Sequence, residues 1–181
     1  MPMDKAGGRD HFPKFEHLGD AMPYVGRILE ILPRIQLFED FDAEEVCLLA
    51  RYMLCYRAPA GAEVIREGVA GDFMLLLLDG EMEIVKQNMH GLPARIGLAG
   101  PGKTLGEMSL IDGEPRFASC LTLAETTFAV LDRDRMIGVV SEEPKVGVKL
   151  LMELLMLLNQ RLRQVSGQLM RCLDDRRMRV R

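Results

Sequence analysis

The sequence predicts an α+β protein built on a β-jelly-roll barrel (double-stranded β-helix), with N-terminal helices before it and a long C-terminal dimerisation helix after it. Three observations favour this fold class. Two one-sided helical patterns come first, short apolar segments between glycine turns follow from residue 63 to residue 131, and a seven-residue apolar repeat comes last. These patterns divide the chain into a flexible N-terminal arm (1–23), a barrel with flanking helices (24–143), and a long helix with a basic tail (144–181).

Composition indicates a globular chain without general affinity for polyanions. The 181 residues are 48% hydrophobic and 28% charged, and 23 basic against 27 acidic residues give a net charge of −4. This balance provides no overall attraction to DNA or anionic lipid, so any anion site has to be local. The four cysteines show no CxxC spacing, no apolar run reaches membrane length, and no secretory leader is recognisable. We therefore expect a cytoplasmic protein without membrane contact.

Two amphipathic helices are predicted before the first strand. In the first, apolar residues from Val25 to Leu32 share one face, and Pro33 ends the pattern. The second begins at a capping box, because Asp42 is followed three residues later by Glu45. Each helix has a single apolar face, so we expect both to pack on the barrel and to carry no chemistry.

The central region is predicted to be β. The two-residue Asp79-Gly80 loop is typical of a type I′ hairpin, which would join a strand at Phe73–Leu78 to one at Glu81–Val85. The remaining predicted strands lie at 63–66, 95–99, 117–123 and 126–131. Their number and spacing are those of a small jelly roll.

The segment from Leu105 to Ser119 has the chemistry of a cradle for an anion that carries hydroxyl groups. Gly106 allows the backbone to approach a ligand, and the next three amides are unpaired donors if they open a helical turn. Arg116 offers a planar fork of donors to two phosphate oxygens, whereas the Glu107 carboxylate accepts from sugar hydroxyls. From the residue types alone, a surface loop with an Arg–Glu pair fits equally well.

Two motifs in this segment resemble the phosphate-binding cassette of the cyclic-nucleotide-binding domain family: Gly-Glu-Met-Ser-Leu at 106–110 and Pro-Arg-Phe-Ala-Ser at 115–119. That family is found in kinase regulatory subunits, gated channels and bacterial cyclic-AMP-type regulators. The resemblance implies that Glu107 takes the ribose 2′-hydroxyl, that Arg116 takes the cyclic phosphate, and that backbone amides complete the anion site. The ligand-binding residues that it implies are Gly106, Glu107, Met108, Ser109, Arg116, Phe117 and Ala118.

The resemblance predicts cyclic AMP or cyclic GMP as the ligand, with no further cofactor. Counting along the chain without gaps brings Arg161 to a position from which the bacterial regulators contact adenine, and arginine donors suit the O6 and N7 acceptors of guanine better. The residue after the cassette arginine is usually small or hydroxylated in the family, whereas here it is Phe117. We add Arg161 to the predicted ligand-binding residues and expect less than about a tenfold preference between the two nucleotides.

A long helix is predicted from Pro144, which follows a serine and two acidic residues, to about Leu173. Along it, apolar residues recur at alternating spacings of four and three, the pattern of a coiled-coil seam. The seam consists of Leu151, Leu155, Leu158, Leu162, Val165, Leu169 and Cys172. A second strip, suited to packing on the chain's own barrel, consists of Leu150, Leu154 and Leu157. We expect a parallel homodimer through residues 151–172; the alternative is that the seam also packs within one chain.

These features predict a stand-alone sensor or regulatory domain, not an enzyme, that signals through its C-terminal helix to an unidentified downstream protein. A metal-dependent cupin enzyme has the same strand pattern, but its histidine ligands cluster on adjacent strands. Here His11 and His17 lie in the predicted arm and His90 lies in a loop. No Ser–His–acid or Cys–His constellation is recognisable, so we predict neither catalytic nor metal-binding residues.

Two other functions remain open from the sequence. A domain that has kept the fold and lost the ligand would be a dimeric protein-interaction scaffold, which Phe117 favours. A transcription regulator acting through a partner, or through the arginine-rich residues 171–181, is the second alternative. We expect that tail to be a solvated helix end and expect no helix-turn-helix after it, so direct DNA binding is not predicted.

Overall fold

The computed structural model describes the backbone of residues 11–179 and the side chains of residues 11–174. Residues 1–10, which begin the predicted arm, and most of the predicted arginine-rich tail lie outside these limits. The strands are β1 (Glu16–Asp20), β2 (Leu54–Ala58), β3 (Glu63–Ile65), β4 (Phe73–Asp79), β5 (Met82–Gln87), β6 (Pro93–Ala99), β7 (Thr104–Leu105), β8 (Ser119–Thr122) and β9 (Thr126–Asp132). The α-helices are α1 (Val25–Ile31), α2 (Ala43–Ala50), α3 (Glu107–Asp112), α4 (Arg133–Glu142) and α5 (Pro144–Arg179).

The strands form two antiparallel sheets, and the predicted α+β jelly-roll fold is confirmed. One sheet has the order β1-β2-β9-β4-β7 and the other has the order β3-β8-β5-β6. Apolar side chains from both sheets, among them Tyr56, Leu75, Met82 and Phe128, form one buried cluster between them. A second cluster joins the outer face of the five-stranded sheet to α1, α2, α4 and α5. The barrel therefore has one core inside it and one between it and the helices.

The predicted hairpin between β4 and β5 is wrong, because these two strands belong to different sheets. β4 pairs with β9 and β7, whereas β5 pairs with β6 and β8. β4 is apolar on both faces: Leu75 and Leu77 enter the barrel core, while Leu76 and Leu78 enter the helix core. A strand buried on both sides needs a central place in its sheet. The turn at Gly80 (φ +85°) therefore carries the chain from one sheet to the other.

Residues 11–23 differ from the flexible arm that the sequence predicted. Phe12 is only 7% exposed, and its ring lies 5.1 Å from the rings of both Tyr56 and Phe73. β1 then extends the five-stranded sheet by pairing with β2. Isolated aromatic residues in a polar segment have no periodicity to mark them, and their burial depends on a barrel mouth built by distant residues. The other proposed boundary, between residues 143 and 144, remains a prediction.

The helices agree with their sequence signals. Both bonds of the predicted capping box are present at the start of α2, since the Glu45 amide donates to Asp42 (2.9 Å) and the Asp42 amide donates to Glu45 (3.0 Å). α5 begins at Pro144 as predicted and runs past the predicted end, to Arg179. Its inner strip is buried in the helix core and consists of Leu150, Leu154 and Leu157.

One carboxylate on α5 lies in this helix core region. Glu153 is 5% exposed, and its burial, the charges of Asp40 and Glu39, and a hydrogen bond with Asp40 raise its pKa. A carboxyl whose pKa is higher in the folded state stabilises the fold most below its unfolded pKa, about 4.3, and loses that contribution as the pH rises through the folded value.

Glu153→Gln is therefore expected to raise the melting temperature at pH 7–8, by about 2–4 °C if about 1 kcal/mol is recovered. The gain over wild type should shrink as the pH falls towards the usual glutamate pKa of about 4.3, because the carboxyl is then increasingly protonated in the unfolded as well as in the folded state. Thermal melts from pH 4 to pH 8 measure this, with the exposed Glu81→Gln as the control. A pH-independent difference would show that packing, and not ionisation, separates the two proteins.

Candidate functional site

The short helix α3 begins where the chain leaves β7 through Gly106. This glycine has φ +87°, a left-handed conformation that L side chains rarely adopt. A Cβ at this position would also lie 2.5 Å from Arg116 Nη1 and 2.9 Å from the Phe73 carbonyl oxygen. Only glycine therefore allows the backbone and the Arg116 guanidinium to approach so closely. The predicted short helix with its first turn at residues 107–109 is confirmed.

Arg116 is a buried cation with a free donor. Its side chain is 5% exposed, Nη1 donates to the Gly106 carbonyl at 3.0 Å, and the guanidinium carbon lies 4.1 Å from the centre of the Phe73 ring. Nη2 is buried, and no described residue gives it a hydrogen-bond partner. Among the side chains of residues 11–174, no carboxylate forms an ion pair with Arg116. Burial lowers its pKa, while the charges of Asp72 and Glu107 act in the opposite direction.

A buried guanidinium without a counter-ion is energetically unfavourable unless something supplies the missing charge and acceptors. The surrounding backbone is adapted to hold it in place. A Cβ at Gly71 would lie 2.1 Å from Arg116 Nε, so this position also requires glycine. The Arg116 amide donates to Val69 and its carbonyl accepts from Gly68, both at 2.9 Å. The chain therefore keeps an unsatisfied positive charge at a fixed position, which is the arrangement expected of an anion site.

Glu107 is also buried, with 1% of its surface exposed, but it has partners. It accepts a hydrogen bond from the Thr104 hydroxyl, and both Nη atoms of Arg161 donate to it, at 3.0 and 3.1 Å. Arg161 Nη2 also donates to the Thr104 carbonyl at 3.2 Å. A carboxylate has about four acceptor sites, so three bonds leave about one for a ligand hydroxyl.

This geometry gives Arg161 a different partner from the purine that the sequence predicted. Three of the five N–H donors of its guanidinium are engaged by Glu107 and the Thr104 carbonyl, which leaves two for a purine, so a contact of Arg161 with the base stays a prediction. A buried carboxylate attracts a nearby guanidinium strongly, because few other groups can compensate its charge. Leu162, the next residue on α5, is 64% exposed and does not line the cleft.

All eight predicted ligand-binding residues line a single cleft of about 130 Å³. The prediction missed the apolar part of the lining, which consists of Ile65, Ile84, Leu105 and Cys120. Burial raises the pKa of the Cys120 thiol to about 12, so it acts here as an apolar group. The prediction also missed Thr104 and Gly71, which support Glu107 and Arg116. Two sequence signals could have identified them: the hydroxyl of Thr104 three residues before Glu107, and the glycine at position 71 three residues after Gly68.

A larger cavity, of about 660 Å³, also reaches Arg116 and is lined by the N-terminal segment at 11–15. Its lining includes the carboxylates of Glu63 and Asp72. His11 lies in it with Nδ1 3.7 Å from Asp72 and Nε2 3.6 Å from Asp132. The lining also carries the cations Lys14, Arg66 and Arg116, so charge alone does not separate the two cavities. The smaller cleft is the one lined by Gly106, Met108 and Ser109, where the backbone amides that open α3 can bind an anion.

In residues 11–179 no helix is long and apolar enough to cross a membrane. Among the described side chains, no group of three or more histidine, cysteine, aspartate or glutamate residues is arranged to hold a metal ion.

Comparison with known proteins agrees with this fold. The sequence model of the family described as "Cyclic nucleotide-binding domain" matches residues 56–143. A crystal structure of a cyclic nucleotide-binding domain from Methylobacillus flagellatus has 42% sequence identity and a TM-score of 0.78, and the match covers 90% of this chain and 91% of that one. The catabolite activator protein of Thermus thermophilus has 28% identity and a TM-score of 0.69, over 74% of this chain and 61% of that one.

A curated relative from Mycobacterium tuberculosis is named "CRP-like cAMP-activated global transcriptional regulator". It is 27% identical over 140 residues, which are 77% of this chain and 61% of the relative. The chain thus spans about three fifths of the length of this regulator, and the likeness applies to that part alone. The extent of the Methylobacillus match, its identity and the family model together establish the assignment. The chain belongs to the cyclic nucleotide-binding domain family.

Proposed function

We propose that this protein is a stand-alone sensor that binds cyclic AMP or cyclic GMP in the cleft between α3, β8 and α5, and that it is not an enzyme. One observation carries the proposal: Arg116 is 5% exposed, and its Nη2 has no hydrogen-bond partner among the described residues. A cyclic phosphate supplies the negative charge and the acceptor oxygens that this group lacks. Kinase regulatory subunits and bacterial regulators among the relatives support a regulatory role.

In this proposal, two charged residues of the cleft contact different parts of the nucleotide. Arg116, with the backbone amides of Met108, Ser109 and Phe117, faces the phosphate in this proposal. Glu107 takes the ribose 2′-hydroxyl with its remaining acceptor site. The cleft volume of about 130 Å³ is smaller than the ~300 Å³ of ordinary ligand pockets, so binding requires some outward movement of the residues at its rim.

Glu107→Ala is expected to weaken binding of cyclic AMP by about 1.5–3 kcal/mol, because it removes the acceptor of the ribose hydroxyl. A 2′-deoxy cyclic nucleotide should lose a similar amount with the wild type, and the two losses should not add. Calorimetric titration of both ligands against both proteins measures this cycle. Glu107→Gln, which keeps an acceptor oxygen, is the matched variant and should lose less. Fully additive losses would mean that Glu107 contacts another part of the ligand.

The signalling part of the proposal rests on α5. This helix carries Arg161, which bonds Glu107 in the cleft, and five exposed seam residues. Four of them, Leu155, Leu162, Val165 and Leu169, are 55–64% exposed in the single chain, and Cys172 is exposed as well. Exposed apolar residues at heptad spacing are best covered by a second copy of the same helix. A nucleotide at Glu107 changes the environment of Arg161, and a homodimer through residues 151–172 links that change to a downstream protein.

The proposal is tested by adding cyclic AMP and cyclic GMP separately to the purified chain and measuring melting temperature and heat of binding. A ligand that binds only the folded state stabilises it, by about 2.7 kcal/mol when the free ligand concentration is a hundred times Kd, and therefore raises the melting temperature. If neither nucleotide binds, the ligand-free interaction scaffold becomes the better assignment. If salt-dependent DNA retention appears in the same preparation, the transcription-regulator alternative gains support.

A further inference from the structure

Phe117 follows the phosphate-binding arginine and lines the same cleft. Its side chain is 56% exposed, although it is a large aromatic group beside apolar residues that are more deeply buried. These neighbours in the cleft lining are Ile84 and Ala118, whereas Met108, which also lines the cleft, is itself 50% exposed. Exposing an aromatic ring to water is unfavourable, and a planar ligand that covers the ring recovers that free energy.

The ring is held in place from one side. The Lys86 ammonium lies 4.3 Å from the ring centre and donates to the Phe117 carbonyl at 2.7 Å. It also donates to Glu67 at 2.6 Å, and Glu67 accepts from the Gln87 amide at 2.9 Å. The hydrogen bonds from Lys86 and from the Gln87 amide lower the pKa of Glu67, which keeps its charge. A cation so anchored covers one face of the ring and restricts its rotation.

The rest of the cleft has few side chains that can form hydrogen bonds with the donors and acceptors at the edge of a base. Glu107 and Arg161 are paired with each other, and Arg116 is committed to the phosphate in the proposed function. Among the lining residues, the other polar side chain is Ser109, which is 3% exposed and lies in the first turn of α3. Few side chains of the cleft can therefore recognise a base by hydrogen bonds, whereas the exposed ring of Phe117 can contact it.

We propose that Phe117, fixed by Lys86, is the surface on which the purine of the bound cyclic nucleotide stacks. This inference rests on the proposed function and names the residue that determines which bases the site accepts. Stacking depends on the area of the base and not on its donors and acceptors. The site should then bind cyclic AMP and cyclic GMP with similar affinity and bind the smaller bases of cyclic CMP and cyclic UMP less tightly.

The test compares wild type with Phe117→Ala, Phe117→Tyr and Lys86→Met in calorimetric titrations. Stacking of one base on an aromatic side chain predicts that Phe117→Ala loses roughly five- to a hundredfold in affinity for cyclic AMP and for cyclic GMP alike. Phe117→Tyr should keep most of the affinity, and Lys86→Met should give an intermediate loss because the ring is then free to rotate. Ribose 3′,5′-cyclic phosphate, which has no base, should bind all four proteins equally.

The outcomes separate this inference from the function on which it rests. If wild type binds cyclic AMP and Phe117→Ala binds it as well or better, the stacking role is overturned while the nucleotide site stands; tighter binding would show that the ring crowds the base. An equal loss for the base-less ligand would show that Phe117 acts on the phosphate site. If wild type binds no cyclic nucleotide, the proposed function and this inference both fail.

Discussion

Replacing Arg116 with alanine is expected to weaken binding of cyclic AMP and cyclic GMP by about 2–5 kcal/mol, or about thirtyfold or more. Arg116 is 5% exposed, and in the part of the chain that the structure describes its Nη2 has no hydrogen-bond partner, so a phosphate gains a desolvated, charge-assisted contact there. Arg116→Lys keeps the charge and loses the planar fork, and should recover only part of the affinity. Calorimetric titration measures both variants.

The unliganded variant should stay folded. Removing a buried cation that has no carboxylate partner among residues 11–174 also removes a desolvation cost, so the melting temperature of Arg116→Ala without ligand should be close to that of wild type or above it. Arg57→Ala is the control, because this arginine pairs with Glu16 outside the cleft. If Arg116→Ala binds nucleotide as tightly as wild type, the phosphate is bound elsewhere.

Introducing Leu155→Glu and Leu162→Glu together is expected to dissociate the proposed homodimer and leave the barrel folded. The two leucines are 55% and 64% exposed in the single chain, so the fold itself depends little on them. In a parallel dimer the introduced glutamates place four carboxylates in the apolar seam. If each carboxylate destabilises the dimer by only about 1 kcal/mol, the dimer dissociation constant rises by roughly a thousandfold.

Light scattering at tens of micromolar protein measures the mass of each variant. Gln160→Glu with Gln164→Glu adds the same number of charges at exposed positions outside the seam and should leave the dimer intact. A wild-type chain that is monomeric under these conditions would contradict the seam as an interface. Its exposed leucines would then need another partner.

Signals that act over a few residues allowed much of this fold to be predicted. The capping box at Asp42 and Glu45, the helix start at Pro144 and the glycine turn at Gly106 each specify a local structure, and each is present. The cassette residues were found by their resemblance to a family and line one cleft. Local chemistry and a specific motif were sufficient for these features.

Features that depend on distant residues were not predictable in the same way. An Asp-Gly turn favours a hairpin, but β4 is buried on both faces, so tertiary packing placed it between β9 and β7. Phe12 gave no periodic signal, yet it fills the barrel mouth. Arg161 was assigned to the purine by counting along the chain, whereas its pairing with Glu107, 54 residues away in sequence, became visible only in three dimensions.

The central claim is that a cyclic nucleotide binds with its phosphate on Arg116, and a crystal structure of the complex with cyclic AMP tests it most directly. The account predicts a phosphate oxygen within hydrogen-bonding distance of Arg116 Nη2, the ribose 2′-hydroxyl on Glu107, and the purine against the Phe117 ring. A nucleotide bound in the larger cavity beside His11, or with its phosphate away from Arg116, would contradict it.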